Sequence, residues 1–211
     1  MNTLFDFDKS FNAFVVGTDE AGRGPAAGGV FASAVFFNNL NADFLSELSC
    51  LNDSKKLSKK KREQLYPLIL NNTINATVCV EVDEIEEFNI LNCSLKAMKL
   101  ACEQVIKKAA LTNVLTLVDG NRYIKNYNYN QKFIIKGDSK SASIAASSIL
   151  AKCSRDNYMG VLHKEFPQYN WVKNAGYLTK EHVDAILKYG PCKYHRKSFL
   201  KNLYSKQLSL L

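Results

Sequence analysis

The residues best equipped for chemistry are four acids. Asp19 and Glu20 stand together in Gly17-Thr18-Asp19-Glu20-Ala21-Gly22-Arg23-Gly24-Pro25, Asp119 follows Leu115-Thr116-Leu117-Val118, and Asp138 follows Ile134-Ile135-Lys136-Gly137. Each site therefore sits where an apolar run gives way to a loop. If those runs are neighbouring strands, the carboxylates converge on one sheet edge, the general location of sites in open α/β folds. Adjacent acids on an extended chain point to opposite faces unless the chain bends, and Gly22 and Gly24 permit a bend. Carboxylates packed within ~4 Å repel and raise one another's pKa, so the group persists as anions only around a divalent cation. With oxygen donors and no His or Cys nearby, that cation is Mg2+ or Mn2+ rather than zinc. Taken singly, Asp19-Glu20 reads as a solvated turn, Asp119 as the turn residue before Gly120, and Asp138 as a helix N-cap.

The elements that must position these acids follow from the apolar pattern. Short runs at 14–18, 29–37, 74–82, 114–118 and 132–136, several rich in β-branched and aromatic residues, predict five strands. Leu91, Leu95, Met98, Cys102 and Val105 make one helical stripe. The Ala- and Ser-rich stretch 141–153 predicts a helix pressed close to the sheet. Thr179 is an expected N-cap for a helix that stops at Gly190-Pro191. The fold class expected is α/β with a mixed sheet.

Composition bounds the rest. The chain has 211 residues, of which 46% are hydrophobic and 23% charged, with only 10 Gly and 4 Pro. Such a chain folds and can bury roughly 70% of its unfolded surface. No apolar stretch approaches the ~20 residues of a membrane span. Residues 1–14 lack the order of a secretory signal, so a cytoplasmic location is expected. Six cysteines without a C-x-x-C pair read as reduced, packed thiols.

The net charge of +8 invites a polyanionic partner without requiring one. Its distribution says more. Lys55, Lys56, Lys59, Lys60, Lys61 and Arg62 form one basic cluster, and Lys188, Lys193, Arg196, Lys197, Lys201 and Lys206 form another that contains no acid. Ser58 resembles an N-cap, yet three lysines then fill the first helical turn, where the macrodipole disfavours each exposed cation by about 0.3–1 kcal/mol. A bound phosphate or plain solvation would each offset that, and Pro67 weakens the helix pattern there.

Three other chemistries are excluded, one by context and two by the absence of their motifs. Gly22 to Ala27 formally matches G-x-G-x-x-A, but Pro25 and an apolar strand follow instead of a helix, and two carboxylates just ahead would repel a pyrophosphate. Neither a G-x-x-x-x-G-K-[ST] loop nor a G-x-S-x-G elbow is present.

Asp19-Glu20-Ala21-Gly22-Arg23-Gly24-Pro25 resembles the signature of ribonuclease HII. Asp53-Ser54-Lys55-Lys56-Leu57-Ser58, Val118-Asp119-Gly120, Lys136-Gly137-Asp138-Ser139-Lys140, the run 145–156, Gly190-Pro191 and His195-Arg196-Lys197-Ser198-Phe199 resemble further family segments, in order. The resemblance implies a ribonuclease H-like fold, a mixed five-stranded sheet flanked by helices with a C-terminal helical extension. It implies one domain over 1–211, with a catalytic core at about 14–170 and a helical, basic segment at about 171–211. The activity implied is metal-dependent endonucleolytic cleavage of the RNA strand of RNA–DNA hybrids, and cutting 5′ of single ribonucleotides in duplex DNA, as in ribonucleotide excision repair. Products would carry 3′-hydroxyl and 5′-phosphate ends.

The resemblance also assigns roles. Asp19, Glu20, Asp119 and Asp138 match the family's metal-binding acids, with two Mg2+ or Mn2+ ions about 3.5–4 Å apart. Gly22, Arg23 and Gly24 would sense the 2′-hydroxyl through their backbone. Tyr177 would pack on the sugar at the RNA–DNA junction; its plainer reading is a surface aromatic. Lys55, Lys56, Arg196 and Lys197 would contact phosphates or lie solvated at the surface. Asn174-Ala175 replaces the family's usual His-Lys, so weaker local backbone contact is expected. The protein would act on nucleic acid as a monomer, without a membrane.

Two other classes use the same residues differently. Another nuclease or transposase of this fold would use the acids without needing Gly22-Arg23-Gly24 or Tyr177. A basic binding module would need none of the acids.

Overall fold

The computed structural model describes residues 3–208 other than 53 and 55. In chain order, α1 (Thr3–Lys9) precedes β1 (Phe14–Ala21) and β2 (Val30–Phe36). Then come α2 (Ala42–Glu47), α3 (Lys59–Asn72), β3 (Ile74–Val80), α4 (Val82–Phe88) and α5 (Ile90–Ala109). β4 (Val114–Asp119) and β5 (Asn130–Ile134) complete the sheet, and α6 (Ala142–Glu165), α7 (Trp171–Asn174), α8 (Lys180–Tyr189) and α9 (Lys197–Leu208) follow.

The five strands form one mixed sheet in the order β3-β2-β1-β4-β5. β1 and β2 pair antiparallel, as do β2 and β3, whereas β1–β4 and β4–β5 are parallel. The mixed five-stranded sheet, flanking helices and C-terminal helices expected from the sequence are all present.

Alternation along β1 divides its two neighbours. Val16 is buried with Met98, Cys102 and Val105 of α5 on one face. On the other, α6 packs through Ala145, Ala146 and Ile149, joined by Leu65 and Ile69 of α3. Small residues let α6 approach closely. Gly17 lies so near its first turn that a Cβ there would overlap the Ser143 carbonyl carbon and the Ile144 nitrogen. Asp8 fixes the same turn, its Oδ2 accepting the Ser143 N–H at 2.8 Å.

Several boundaries differ from expectation. β1 continues through Asp19 and Glu20 to Ala21, because pairing with β2 extends to Ala21↔Phe31. β5 lies two residues earlier than its apolar run, which ends where Lys136 takes a left-handed φ of 55°. α3 runs through Pro67 although that residue removes one backbone bond, since Leu65 and Ile69 on either side are buried against α6. All six cysteines are free thiols, as expected. Among the described residues no helix is long and apolar enough to cross a membrane.

Because backbone rather than a flexible side chain meets residue 17, Gly17→Ala is expected to destabilise the fold by at least about 2 kcal/mol in urea unfolding. An unchanged midpoint would show that α6 can shift freely on β1.

Candidate active site

Register places the acids. β1 and β4 pair in parallel from Phe14↔Val114 to Thr18↔Val118, so Asp19 and Asp119 are the next residues on adjacent strands. Asp119 pairs with Ile134 of β5, and the chain then turns through Gly137–Ser139, placing Asp138 beside the same edge. The Gly137 N–H donates to Asp119 Oδ1 at 2.6 Å and ties this turn to β4. Asp19 and Asp138 are buried. Burial holds the Asp19 carboxyl well above the usual range, and the charges of Glu20, Asp119 and Asp138 raise it further.

The four carboxylates share an edge, and Asp19 feels the charges of the other three without the group closing into one compact cluster. Among the described residues, no three Asp, Glu, His or Cys side chains stand together as a cluster able to hold a metal. Asp19 Oδ1 instead accepts the Glu20 N–H at 2.7 Å, and Glu20 Oε1 pairs with Arg23 at 3.2 Å. Local donors take up oxygens that would otherwise repel. As a donor set, four carboxylates with surplus negative charge fit a hard divalent cation.

The neighbouring loop is held from inside. Gly22 has a φ of +102°, and a Cβ there would overlap the Arg155 side chain. Arg155, fully buried on α6, donates to the carbonyls of Ala27 at 2.9 Å, Gly29 at 3.2 Å and Ala175 at 2.9 Å. Arg196 donates to the carbonyls of Gly22 at 2.7 Å, Arg23 at 3.3 Å, Pro25 at 2.8 Å and Gly28 at 2.6 Å. Two guanidiniums thus satisfy carbonyls in a segment that has no ladder partner of its own for most of them.

This corrects one expectation. Arg196 is no surface phosphate contact, because its guanidinium is buried and spent on carbonyls, and burial pushes its pKa down to about 10. Lys56 and Lys197 are exposed, as phosphate contacts or solvated side chains would be; Lys55 lies outside the described residues. Arg155 was not singled out as a site residue, and only the run of carbonyls from residue 22 to 29 lacking a partner could have signalled it.

Tyr177 meets this loop from the other side. It is 51% exposed, and its ring lies over Gly24, where a Cβ would stand 3.3 Å from Tyr177 Cε1. The departure at 174 and 175 has a structural role. Buried Asn174 accepts the Gly176 N–H at 2.8 Å and donates to the Tyr169 carbonyl at 2.7 Å, forming the turn that carries Tyr177. Ala175 takes a left-handed φ of 49°, and its carbonyl is the one Arg155 grips. These bonds hold the turn itself, in place of the cation and imidazole that the family usually carries here.

A relay of rings fixes the same turn. Trp171 Nε1–H donates to His182 Nε2 at 3.0 Å, so that nitrogen is the unprotonated one. His182 Nδ1–H then donates to the Tyr177 carbonyl at 2.9 Å, and His195 Nε2–H donates to His182 Nε2 at 3.1 Å. His195 Nδ1 accepts the Cys192 N–H at 3.0 Å. Both rings are neutral in this arrangement. Burial lowers both pKa values, that of His195 to about 4.

Comparison with known proteins agrees with the family suggested by the motifs. A family model described as Ribonuclease HII matches residues 16–204. The chain is 48% identical over 197 residues to Ribonuclease HII of Rickettsia africae, covering 93% of this chain and 96% of that one. It is 44% identical over 206 residues to Ribonuclease HII of Clostridium perfringens, covering 96% and 73%. Among solved structures, ribonuclease H2 from Pyrococcus horikoshii aligns with a TM-score of 0.67 at 22% identity, covering 87% of this chain and 92% of that one. Bst-RNase HIII in complex with Mn2+ aligns with a TM-score of 0.68 at 13% identity, covering 94% and 68%. These two likenesses show the fold.

The neutral histidine pair gives a pH dependence. Unfolded, each ring titrates near its ordinary 6.5; folded, His195 titrates near 4. The unfolded chain therefore binds more protons in acid, and stability present above about pH 6.5 is lost as pH falls toward 4. Urea midpoints from pH 7 to 4 should fall more steeply for wild type than for His195→Gln. Parallel profiles would mean the pair titrates as in water.

Proposed function

This chain belongs to the ribonuclease HII family and is a ribonuclease H, and from that premise we propose that Asp19, Glu20, Asp119 and Asp138 form its catalytic centre. Its substrates are RNA–DNA hybrids, cut in the RNA strand, and duplex DNA with an embedded ribonucleotide, cut on its 5′ side. The observation that carries this reading is the parallel register of β1 and β4, which sets Asp19 beside Asp119 at the sheet edge.

Each part of the site has a task in hydrolysis. A water oxygen bonds to phosphorus as the P–O3′ bond breaks, leaving 3′-hydroxyl and 5′-phosphate ends. Asp19, Glu20, Asp119 and Asp138 are the residues that would hold Mg2+ or Mn2+, and the ion would supply Lewis-acid charge for water activation and for the leaving oxygen. The Mn2+ complex of the HIII neighbour supports divalent metal use. Arg23 balances Glu20 at the solvent side. Gly22 and Gly24 leave the backbone open to a 2′-hydroxyl, and Tyr177 offers an exposed ring across Gly24 for the sugar. Lys55, Lys56 and Lys197 contact phosphates without reading sequence.

The test is a DNA duplex carrying one ribonucleotide, beside an RNA–DNA hybrid and an all-DNA duplex, each with and without Mn2+. Cleavage 5′ of the ribonucleotide that requires the metal is expected. Cutting of all-DNA duplex, or binding without cutting, would contradict the reading. Tyr177→Ala should lower cutting at the single ribonucleotide by about tenfold or more, about 1.4 kcal/mol in barrier, with metal affinity unchanged. Equal loss of both would remove Tyr177 from sugar recognition.

A further inference from the structure

The three lysines that open α3 remain unexplained by the sheet-edge site. They stand after N-cap Ser58, whose Oγ accepts the Lys61 N–H at 3.3 Å, so the first turn is helical and positive charge sits at the positive end of the dipole. Lys59 at this turn lines a groove of about 630 Å³ between α3, the second half of α6 and α7. The lining carries five cations against two carboxylates, Glu63 and Asp156.

Those carboxylates do not neutralise the groove. Glu63 pairs with Lys59 at 3.8 Å and Asp156 with Lys152 at 2.6 Å. The exposed Lys59–Glu63 pair contributes about 0–1 kcal/mol and yields readily to a stronger anion, whereas the Lys152–Asp156 pair is part-buried. Arg62 has its guanidinium on the carbonyls of Ser54 and Leu57 at 2.8 and 2.6 Å and makes no ion pair among the described residues. Lys164 has no ion pair among the described residues. His163 also lines the groove, and its Nδ1 is buried with no hydrogen-bond partner among the described residues.

Both walls run into segments that face substrate in the proposed reaction. Arg62 grips the loop on either side of Lys55 and Lys56. The opposite wall ends at Ala175, two residues before Tyr177 and fastened to Arg155.

We propose that this groove is a second nucleic-acid contact, which binds phosphodiesters of the substrate duplex away from the scissile bond. It rests on the nucleic-acid reading above. Phosphate oxygens there meet the first turn of α3, Arg62 and Lys164. The groove adds affinity and salt dependence and leaves the bond-breaking step alone.

The test reads binding rather than cutting, by fluorescence anisotropy of the full chain in EDTA. Hybrids of about 8 and about 30 base pairs are titrated across salt concentrations, where each phosphate contact contributes about 0.9 to the slope of log affinity against log salt. Lys59→Ala/Lys164→Ala should lower the slope for the longer hybrid by about 1 to 2 and leave the shorter one unchanged. Lys107→Ala/Lys108→Ala on α5 removes equal charge elsewhere and should change neither. An unchanged slope in the groove variant, an equal drop in the α5 variant, or a groove that takes inorganic phosphate but not the longer hybrid would overturn the proposal. A chain that binds through the groove and cuts no hybrid with Mn2+ would refute the cleavage reading and leave the groove standing.

Discussion

Parallel pairing of β1 with β4 at the centre of the sheet is the constraint on which the rest depends. It sets Asp19 and Asp119 one step beyond the last paired residues of adjacent strands, a placement that no side-chain motion can undo. The result is negative charge gathered at a buried edge, and the raised Asp19 pKa registers its cost. Both sheet faces serve this register. α5 seals one through a regular apolar stripe, while α6 comes close to the other only because residue 17 is glycine.

Beyond the edge, positive charge does structural work. Arg155 and Arg196 are buried with no carboxylate partner among the described residues, yet each is surrounded by carbonyls of the loop that follows Glu20. Carbonyl dipoles replace water around the guanidinium, and the guanidinium replaces a strand neighbour for the carbonyls. The glycine-rich loop is thereby fixed while its outer surface stays open. The histidine relay performs the matching task under Tyr177, and Arg155, which also grips the Ala175 carbonyl, joins the two segments.

The strands and their acids were legible because apolar runs are local patterns; five of them account for the whole sheet, and three lead into the acids of the site. What pattern could not show is where polar side chains are spent. Arg196 sits in a basic stretch and resembles its neighbour Lys197, but the fold buries one and exposes the other. Asn174 looks like the loss of a family contact, whereas its amide forms the turn by bonding backbone two and five residues away. β5 slid by two residues because the turn at Lys136, not the apolar run, sets its end.

The central claim is that the carboxylates aligned by β1 and β4 are the working site. Its most direct test is Asp119→Asn, which removes one charge without changing shape, measured for Mn2+ binding by calorimetry and for hybrid cleavage, with circular dichroism to confirm the fold. The account expects metal affinity to fall by about tenfold or more, about 1.4 kcal/mol, and most cleavage to disappear from an intact protein. A folded variant that binds Mn2+ and turns over hybrid like the wild type would contradict it.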